Sequence, residues 1–319
     1  MANKFYAAGE DRAARVNDLF ATIARRYDLI NDLQSFWLHR FWKRRLVGLA
    51  HPAAGESALD VCCGTGDVAF ALARQGAEVV GLDFSEAMLA MARARSDTQS
   101  PQSPTGAVAE RVRKMGSTGD PPVPVGDSPT GRARRPPLKG PSLFGSGAIP
   151  VPPGESPGGT GQWPVLPKNE FPDTLSATRM GARPPQFIRG DAQALPFPAA
   201  QFDLVTVSYG LRNLARWQTG LREMWRVAKP GGRLLVLDFG KPNNALWRQL
   251  YFAYLRWCVP LFGKLLCGDA QTYAYILESL NHYPAQLRVA EEMRKISCRD
   301  VRLVQLLGGA MSINYATKA

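Results

Sequence analysis

The stretch that most constrains the fold is an apolar run that ends in a glycine-rich turn and continues directly into a helix-prone segment. Residues 58–59 and 61–62 lack the alternation of a half-exposed strand, which is typical of a parallel strand buried on both faces. Gly64 and Gly66 in the following turn carry no Cβ and can adopt positive φ, so a ligand can approach the backbone closely. Open α/β sheets bind ligands at this position, beyond the carboxyl end of a strand. The stretch therefore predicts a strand, a ligand-binding turn and a helix, in that order.

Acidic residues around this turn indicate which ligand it binds. Residues 64–69 fit the dinucleotide pattern G-x-G-x-x-A, and Asp83 follows at the end of the next apolar run. A pyrophosphate at the helix N-terminus would meet the like charge of Asp67, and Asp60 adds a second carboxylate beside the turn. S-adenosylmethionine suits these acids better, because it carries an ammonium, a sulfonium and a ribose diol that Asp83 can bind. We predict S-adenosylmethionine as the cofactor and keep a dinucleotide-dependent oxidoreductase as an alternative.

The composition divides the chain into a folded unit and an insertion. Residues 97–185 hold 18 of the 25 prolines and 13 of the 30 glycines, and short segments within them repeat. Such a stretch cannot bury enough apolar surface to offset the entropy of ordering it, so we predict a disordered insertion in a helix-to-strand connection. The rest of the chain is predicted to form a helical N-terminal cap at 1–56 and a domain made of 57–96 and 186–319.

Charge, cysteine content and hydropathy limit the partners and the location. The formal net charge of +12 indicates attraction to anionic surfaces, which include lipid as well as nucleic acid. The five cysteines show neither a C-x-x-C pair nor metal-ligand spacing, so we expect reduced thiols and no metal site. No signal peptide or spanning stretch of roughly 18 uncharged residues is apparent. We expect a cytoplasmic protein, at most peripheral on the inner face of the membrane; the oligomeric state stays open, a homo-oligomer included.

Strand-like and helix-like segments alternate along the folded unit. After the first strand, further strands are predicted at 78–83, 187–189, 202–208 and 233–239. Helices are predicted between them at 68–74, 87–95 and 218–228, with Ser85 as the N-cap of the second one. Residues 302–307 and 310–316 are predicted to form an antiparallel hairpin that closes the sheet at its edge. This order is typical of an α/β fold with a doubly wound, mostly parallel sheet.

Three helix-like segments stand apart from this alternation. Residues 16–27 and 37–49 have apolar side chains at helical spacing and are rich in aromatic residues, which predicts the N-terminal cap. Residues 245–262 are aromatic on nearly every side. A helix of that kind must be buried, cover an apolar ligand or lie on a membrane, and the residues alone leave all three open.

Several short motifs of the folded unit resemble a known family. They are Tyr27-Asp28-Leu29-Ile30-Asn31-Asp32, His39-Arg40-Phe41-Trp42-Lys43, Asp60 with the turn at 64–67, residues 191–197, Gly210-Leu211-Arg212-Asn213 and Lys229-Pro230-Gly231-Gly232-Arg233. In these motifs the chain resembles the demethylmenaquinone methyltransferase and 2-polyprenyl-6-methoxy-1,4-benzoquinol methylase family, over everything except 97–185. The resemblance implies a class I S-adenosylmethionine-dependent methyltransferase that methylates a carbon of a prenylated quinol. Demethylmenaquinol is the expected substrate and the benzoquinol is the alternative.

The resemblance also implies residues for the cofactor along one edge of the sheet. These are Thr65 in the turn, Asp83 for the ribose, Asp191 and Ala192 beside the adenine, and Ser208 at the end of the fourth strand. Asp60, Gly64 and Gly66, which are predicted from the turn itself, complete the set of candidate cofactor residues.

Candidate catalytic residues follow the fourth strand and lie in the cap. Arg212 and Asn213 are expected to bind the quinol oxygen, where Arg212 would stabilise a phenolate or orient a water, since it is too basic to accept the proton. Tyr27, His39 and Asp238 are further candidates for proton transfer.

Two other function classes compete with this interpretation. The basic charge favours an RNA methyltransferase, and residues 120–123 imitate an amino-methylating motif. They lie in the insertion, however, and lack an aromatic residue that could stack on a base, so no nucleic-acid partner is expected. A non-catalytic quinone or lipid carrier that kept the fold is the other alternative.

Overall fold

A computed structural model describes residues 11–23, 27–99, 183–267 and 271–319. The predicted insertion at 97–185 falls almost entirely outside these ranges, so its disorder and the proposed domain boundaries stay predictions.

A single twisted sheet organises the described residues, with strand order β3-β2-β1-β4-β5-β7-β6. The strands are β1 (Ser57–Val61), β2 (Glu78–Asp83), β3 (Gln186–Arg189), β4 (Phe202–Ser208), β5 (Ala228–Phe239), β6 (Cys298–Leu306) and β7 (Met311–Lys318). Strands β1 to β5 are parallel, whereas β7 runs antiparallel to both β5 and β6. The predicted mostly parallel sheet and its closing hairpin are therefore confirmed.

Helices precede the sheet and alternate with its strands. They are α1 (Asp11–Ile23), α2 (Tyr27–Gln34), α3 (Leu38–Ala50), α4 (Asp67–Arg74), α5 (Glu86–Gln99), α6 (Trp217–Val227), α7 (Ala245–Cys267), α8 (Gln271–His282) and α9 (Ala285–Lys295). None of the helices in the described ranges combines the length and the apolar character needed to cross a bilayer.

Three details differ from the sequence predictions. Helix α8 was not predicted. Strand β5 begins at Ala228 rather than at Arg233, because Ala228 already pairs with Phe202 before the register shifts. Ser85 precedes α5, but its Oγ makes no hydrogen bond among the described residues, so the predicted side-chain cap is wrong.

Two apolar cores cover the two faces of the sheet. Ala58 of β1 packs in a cluster with Val47 of α3 and Leu72 of α4, whereas the next residue, Leu59, belongs to a second cluster with Leu221 of α6. Successive side chains of a strand point to opposite faces, so this division follows from the apolar run in β1. Burial on both faces leaves the ends of the strands as the accessible part of the sheet.

The N-terminal helices lie over those strand ends. Helix α1 contacts α5 and a short 3₁₀ turn, Leu211–Asn213, that follows β4. Helix α2 contacts α3 and α7, and α7 packs along α8. The cap and the α7–α8 pair therefore enclose the region just past β4 and β5.

Candidate active site

The turn between β1 and α4 contains three residues with positive φ. They are Cys62 at 54°, Gly64 at 56° and Gly66 at 85°. A Cβ on Gly66 would lie 2.8 Å from the ring of Phe187, so a larger residue does not fit there. A Cβ on Gly64 would have no neighbour within 4 Å. The turn thus leaves open space beside Gly64 and none beside Gly66.

Asp83 ties this turn to the end of β2. Its Oδ2 accepts a hydrogen bond from the backbone N–H of Gly64 at 2.8 Å, and its Oδ1 accepts one from the N–H of Ser85 at 2.9 Å. Burial raises the pKa of this carboxyl, and the two backbone hydrogen bonds oppose the rise. Each carboxylate oxygen has more than one acceptor site, so Asp83 can still accept hydrogen bonds from a ligand.

A cavity of about 90 Å³ opens at the carboxyl ends of the parallel strands, and we call it the polar cavity because Asp83, Ser85, Asp191, Ser208 and Asn213 line it among apolar side chains. Five of the predicted cofactor residues line it: Gly64, Asp83, Asp191, Ala192 and Ser208. Val16 and Phe20 of α1 line it as well, together with Ser85, Tyr209 and Asn213. The structure therefore brings these predicted residues together under the cap.

Two hydroxyl groups of this cavity have no hydrogen-bond partner in the described part of the chain. Ser85 Oγ and Ser208 Oγ are buried, and neither makes a hydrogen bond within the described ranges. A buried hydroxyl without a partner costs about 1–3 kcal/mol, so both are suited to a polar ligand. Together with the carboxylates of Asp83 and Asp191, they fit a ligand that carries hydroxyl and ammonium donors, as S-adenosylmethionine does.

Three other predicted cofactor residues lie behind the turn and not in the cavity lining of the described part of the chain. Asp60 is buried and accepts a hydrogen bond from Thr206 Oγ1 at 2.8 Å, and burial raises its pKa to about 7. Thr65 is buried and donates to Asp28 Oδ1 at 3.2 Å. Gly66 is enclosed by aromatic rings. These residues support the turn, and direct contact with a cofactor stays a prediction for them.

Asp67 at the start of α4 is paired with two cations. Its Oδ2 accepts a hydrogen bond from Lys43 Nζ at 2.7 Å, and its Oδ1 accepts one from Arg95 Nη1 at 2.8 Å. Burial raises the pKa of this carboxyl, but Lys43 and Arg95 outweigh burial and hold the pKa below its ordinary value. Asp67 therefore does not by itself disfavour a pyrophosphate at this helix, contrary to the sequence prediction, because its charge is already offset.

A second, apolar cavity of about 300 Å³ adjoins the first, and Tyr209 lines both. Helix α7 contributes Trp247, Tyr251, Leu255 and Val259, which recur at helical spacing on one side of the helix. The rest of the apolar lining includes Trp42, Phe239, Tyr275, Ile276 and Met311. The aromatic segment at 245–262 is therefore partly buried and partly a wall of this cavity.

Consecutive residues of the 3₁₀ turn face the two cavities. Arg212 lines the apolar cavity and Asn213 lines the polar one. Arg212 Nη1 lies 2.9 Å from Asp238 Oδ1, and Nη2 donates to the Tyr275 hydroxyl at 3.3 Å. The guanidinium also stacks 4.5 Å from the ring centroid of Phe239. Burial raises the pKa of Asp238, and the adjacent Arg212 opposes that rise.

A histidine lines the apolar cavity from the cap. His39 of α3 places Nε2 2.8 Å from Asp32 Oδ1, and Arg40 donates to both oxygens of Asp32 at 2.6 Å. Tyr27 begins α2, but its side chain lies outside what the structure describes, so its predicted role is untested. The link between His39 and Asp32 was not foreseen, although both residues stand in motifs that the sequence analysis singled out.

Comparison with known proteins identifies related sequences over most of the chain. "Ubiquinone/menaquinone biosynthesis C-methyltransferase UbiE" of Azotobacter vinelandii is 29% identical, over 96% of this chain and 91% of the relative. "Demethylmenaquinone methyltransferase" of Listeria monocytogenes is 28% identical, over 97% of this chain and 98% of the relative. These names agree with the resemblance seen in the motifs.

A solved structure confirms the fold class, and a family model confirms the family. The SAM-dependent methyltransferase from Thermotoga maritima superimposes with a TM-score of 0.51 at 13% sequence identity, over 95% of this chain and 99% of that one. A sequence model described as the ubiE/COQ5 methyltransferase family matches residues 8–106 and 176–318, and the chain belongs to that family.

Proposed function

We propose that this methyltransferase transfers a methyl group from S-adenosylmethionine in the polar cavity to a ring carbon of a prenylated quinol in the apolar cavity. One observation carries the proposal: a polar and an apolar cavity meet at Tyr209 and at the Leu211–Asn213 turn. A reaction between a charged nucleoside and a lipid-like ring needs two adjoining sites of this kind. Membership in a methyltransferase family argues against the oxidoreductase and the non-catalytic carrier.

The polar cavity offers groups for each part of the cofactor. Asp83 would accept hydrogen bonds from the ribose hydroxyls, while the open space beside Gly64 lets the ligand approach the backbone. Asp191 and the hydroxyls of Ser85 and Ser208 supply the remaining polar contacts. When bound, S-adenosylmethionine supplies a methyl group on a sulfonium, which a nucleophilic carbon can displace.

The apolar cavity would hold the quinol ring among aliphatic and aromatic side chains. Arg212 lines this cavity with its guanidinium fixed by Asp238 and Tyr275, so its charge needs no rearrangement to stabilise a phenolate oxygen. Asn213, one residue later, lines the cofactor side. The turn therefore sets the distance between the two reactants, and positioning of this kind supplies much of the rate acceleration.

We take demethylmenaquinol, converted to menaquinol, as the substrate. Several relatives from Listeria carry the name demethylmenaquinone methyltransferase, whereas the Azotobacter relative is named for both ubiquinone and menaquinone biosynthesis. The alternative is 2-polyprenyl-6-methoxy-1,4-benzoquinol, which has one ring where the naphthoquinol has two.

The experiment is a pair of measurements on the full chain. Calorimetric titration should detect binding of S-adenosylmethionine and not of NADH, and an assay with each reduced quinone should yield methylated demethylmenaquinol. Binding of NADH alone, or methylation of neither quinol, would contradict the proposal. Methylation of the benzoquinol alone would show that the benzoquinol is the substrate and would leave the proposed reaction unchanged.

We further propose that the mouth of the apolar cavity lies against a membrane, from which the prenylated substrate enters. Four residues that line this cavity are also exposed large apolar side chains: Phe36, Leu38, Leu250 and Leu307. Trp37, just before α3, and Trp257 of α7 are further exposed apolar residues. Basic residues are interspersed there, including Arg40, Arg248 and Arg256. Anionic lipid attracts such residues by about 1 kcal/mol each.

Vesicle binding tests the membrane contact with a matched pair of variants. Leu250 and Leu287 are 55% and 53% exposed, but only Leu250 lines the cavity in the described part of the chain. Leu250→Glu should reduce co-sedimentation with phosphatidylcholine vesicles containing phosphatidylserine, because it puts a carboxylate on the apolar rim. Leu287→Glu should bind like the wild type. Equal binding by both variants, or no binding by the wild type, would refute the contact.

A further inference from the structure

His39 lines the apolar cavity and has a buried ring nitrogen that no described residue contacts by a hydrogen bond. The residue is only 4% exposed and belongs to the cavity lining. Its Nδ1 is buried and makes no hydrogen bond to any other described residue. Buried polar atoms of native proteins nearly always have partners, so an unpartnered one at a ligand cavity points to a group on the ligand.

Asp32 decides which nitrogen of His39 carries the proton. Two hydrogen bonds from Arg40 lower the pKa of Asp32, so its carboxylate is ionised and can only accept hydrogen bonds. His39 Nε2, 2.8 Å from Asp32 Oδ1, must therefore be the protonated nitrogen. In the neutral ring this leaves an unpaired lone pair on Nδ1 of a residue that lines the cavity.

The surroundings keep this imidazole neutral. Burial and the charge of Lys43 lower the pKa of His39 below its ordinary 6.5, while Asp32 of α2 and Asp67 of α4 act in the opposite direction. Protonation of the ring is thus disfavoured near pH 7. A neutral imidazole with an unpaired ring nitrogen is the form that can accept a proton.

The other titratable groups lining this cavity cannot take that role. Arg212 stays protonated and has no acceptor. The lining also contains four tyrosines, Tyr209, Tyr251, Tyr254 and Tyr275, and phenols are protonated at neutral pH. Burial raises the pKa of Tyr251 and Tyr275 further and that of Tyr254 to about 12. Among the described groups of the lining, His39 is left as the base.

We propose that His39 is the general base of the methyl transfer and that Asp32 positions it, an inference that rests on the proposed function. Nδ1 takes the proton of a quinol hydroxyl. The electron pair of that O–H bond moves into the ring, whose carbon forms the new C–CH₃ bond, and the pair of the broken S–CH₃ bond stays on sulfur. The methylated carbon then loses its hydrogen as a proton to water. His39 returns its own proton to the oxygen, which restores the aromatic quinol.

The first test determines the tautomer and the titration midpoint of His39 by ¹⁵N NMR of the whole protein. The chain has three histidines, so His39→Gln assigns the signals of His39. We expect the tautomer with a proton on Nε2 and a bare Nδ1, and a titration midpoint below 6.5. Addition of reduced demethylmenaquinone should shift the Nδ1 signal. A proton on Nδ1, or an Nδ1 signal that does not shift when the quinol is added, would overturn the proposal.

The second test is the pH dependence of turnover. Wild-type turnover should fall as the pH drops through the pKa of His39, because the protonated ring cannot accept a proton. His39→Gln can still donate to Asp32 but has no basic nitrogen. Its turnover should therefore be about 10²- to 10⁴-fold lower than that of the wild type, and it should lack the decrease at low pH, the acid limb of the profile. The matched control is His51→Gln, an exposed histidine after α3, which should behave like the wild type.

The outcomes distinguish a failure of the proposed function from a failure of the assignment of His39 as the base. If the wild type binds no S-adenosylmethionine and methylates neither quinol, the proposed function fails. If the wild type methylates a quinol and His39→Gln does so equally fast with the same acid limb, only the assignment of the base fails. Calorimetry of His39→Gln with S-adenosylmethionine should give wild-type affinity, which shows that the variant is folded.

Discussion

Replacing Arg212 by alanine should destabilise the protein strongly, because it leaves the carboxylate of Asp238 buried without its counter-charge. The two side chains are 3% and 2% exposed and are joined at 2.9 Å. Removing one partner of such a buried pair costs about 3–5 kcal/mol. A typical domain has a free energy of unfolding of about 5–15 kcal/mol, so the loss would be a large part of the total.

Urea unfolding followed by circular dichroism measures this loss, and Arg288→Ala is the matched control. Arg288 forms an ion pair of 3.4 Å with Glu291, and the two side chains are 67% and 48% exposed. Exposed pairs contribute only about 0–1 kcal/mol, so the same substitution there should change stability little. If Arg212→Ala costs no more than Arg288→Ala, the claim that Arg212 compensates a buried charge is wrong.

A double variant separates the structural role of Arg212 from its catalytic role. Adding Asp238→Asn to Arg212→Ala removes the stranded charge and should recover part of the stability. Turnover should stay at least tenfold below that of the wild type, a barrier increase of about 1.4 kcal/mol, because no guanidinium is left to stabilise the phenolate. Near-normal turnover of the folded double variant would remove Arg212 from the mechanism.

Three further variants test the turn and the cofactor cavity. Gly66→Ala should destabilise the protein to urea more than Gly64→Ala. Both put a side chain at positive φ, at about 1–2 kcal/mol, but only the first would place a Cβ 2.8 Å from Phe187. Ser208→Ala removes a buried hydroxyl that has no partner among the described residues, so the free energy of unfolding should not fall. Its calorimetric affinity for S-adenosylmethionine should drop by about 0.5–1.5 kcal/mol, and unchanged affinity would take Ser208 out of the cofactor site.

The sheet could be predicted closely because its strands are short buried runs bounded by turn residues. Strands β2 and β4 begin and end where the sequence placed them, at Glu78–Asp83 and Phe202–Ser208. Helix α8 was missed although Gly268 and Asp269, residues typical of a helix boundary, precede it in the sequence. Ser85 stands before α5 as predicted, but its hydroxyl accepts no hydrogen bond from the helix and the residue lines the polar cavity.

The ion pairs of Asp67 and Arg212 could not be predicted, because they join residues that are far apart in the chain. Asp67 contacts Lys43 and Arg95 only because α3, α4 and α5 converge on one side of the turn. Arg212 meets Asp238 because β4 and β5 are neighbours in the sheet. A strand order derived from the sequence could place Arg212 and Asp238 close together, but it would not reveal that their side chains are buried.

The most direct test of the proposed reaction is the fate of the transferred methyl group. The full chain is incubated with S-adenosylmethionine carrying a ¹³C-labelled methyl group and with reduced demethylmenaquinone, and the product is analysed by NMR. The proposed function predicts the label as a methyl group on a ring carbon of menaquinol. Label on a quinol oxygen, or no label in either the naphthoquinol or the benzoquinol, would contradict it.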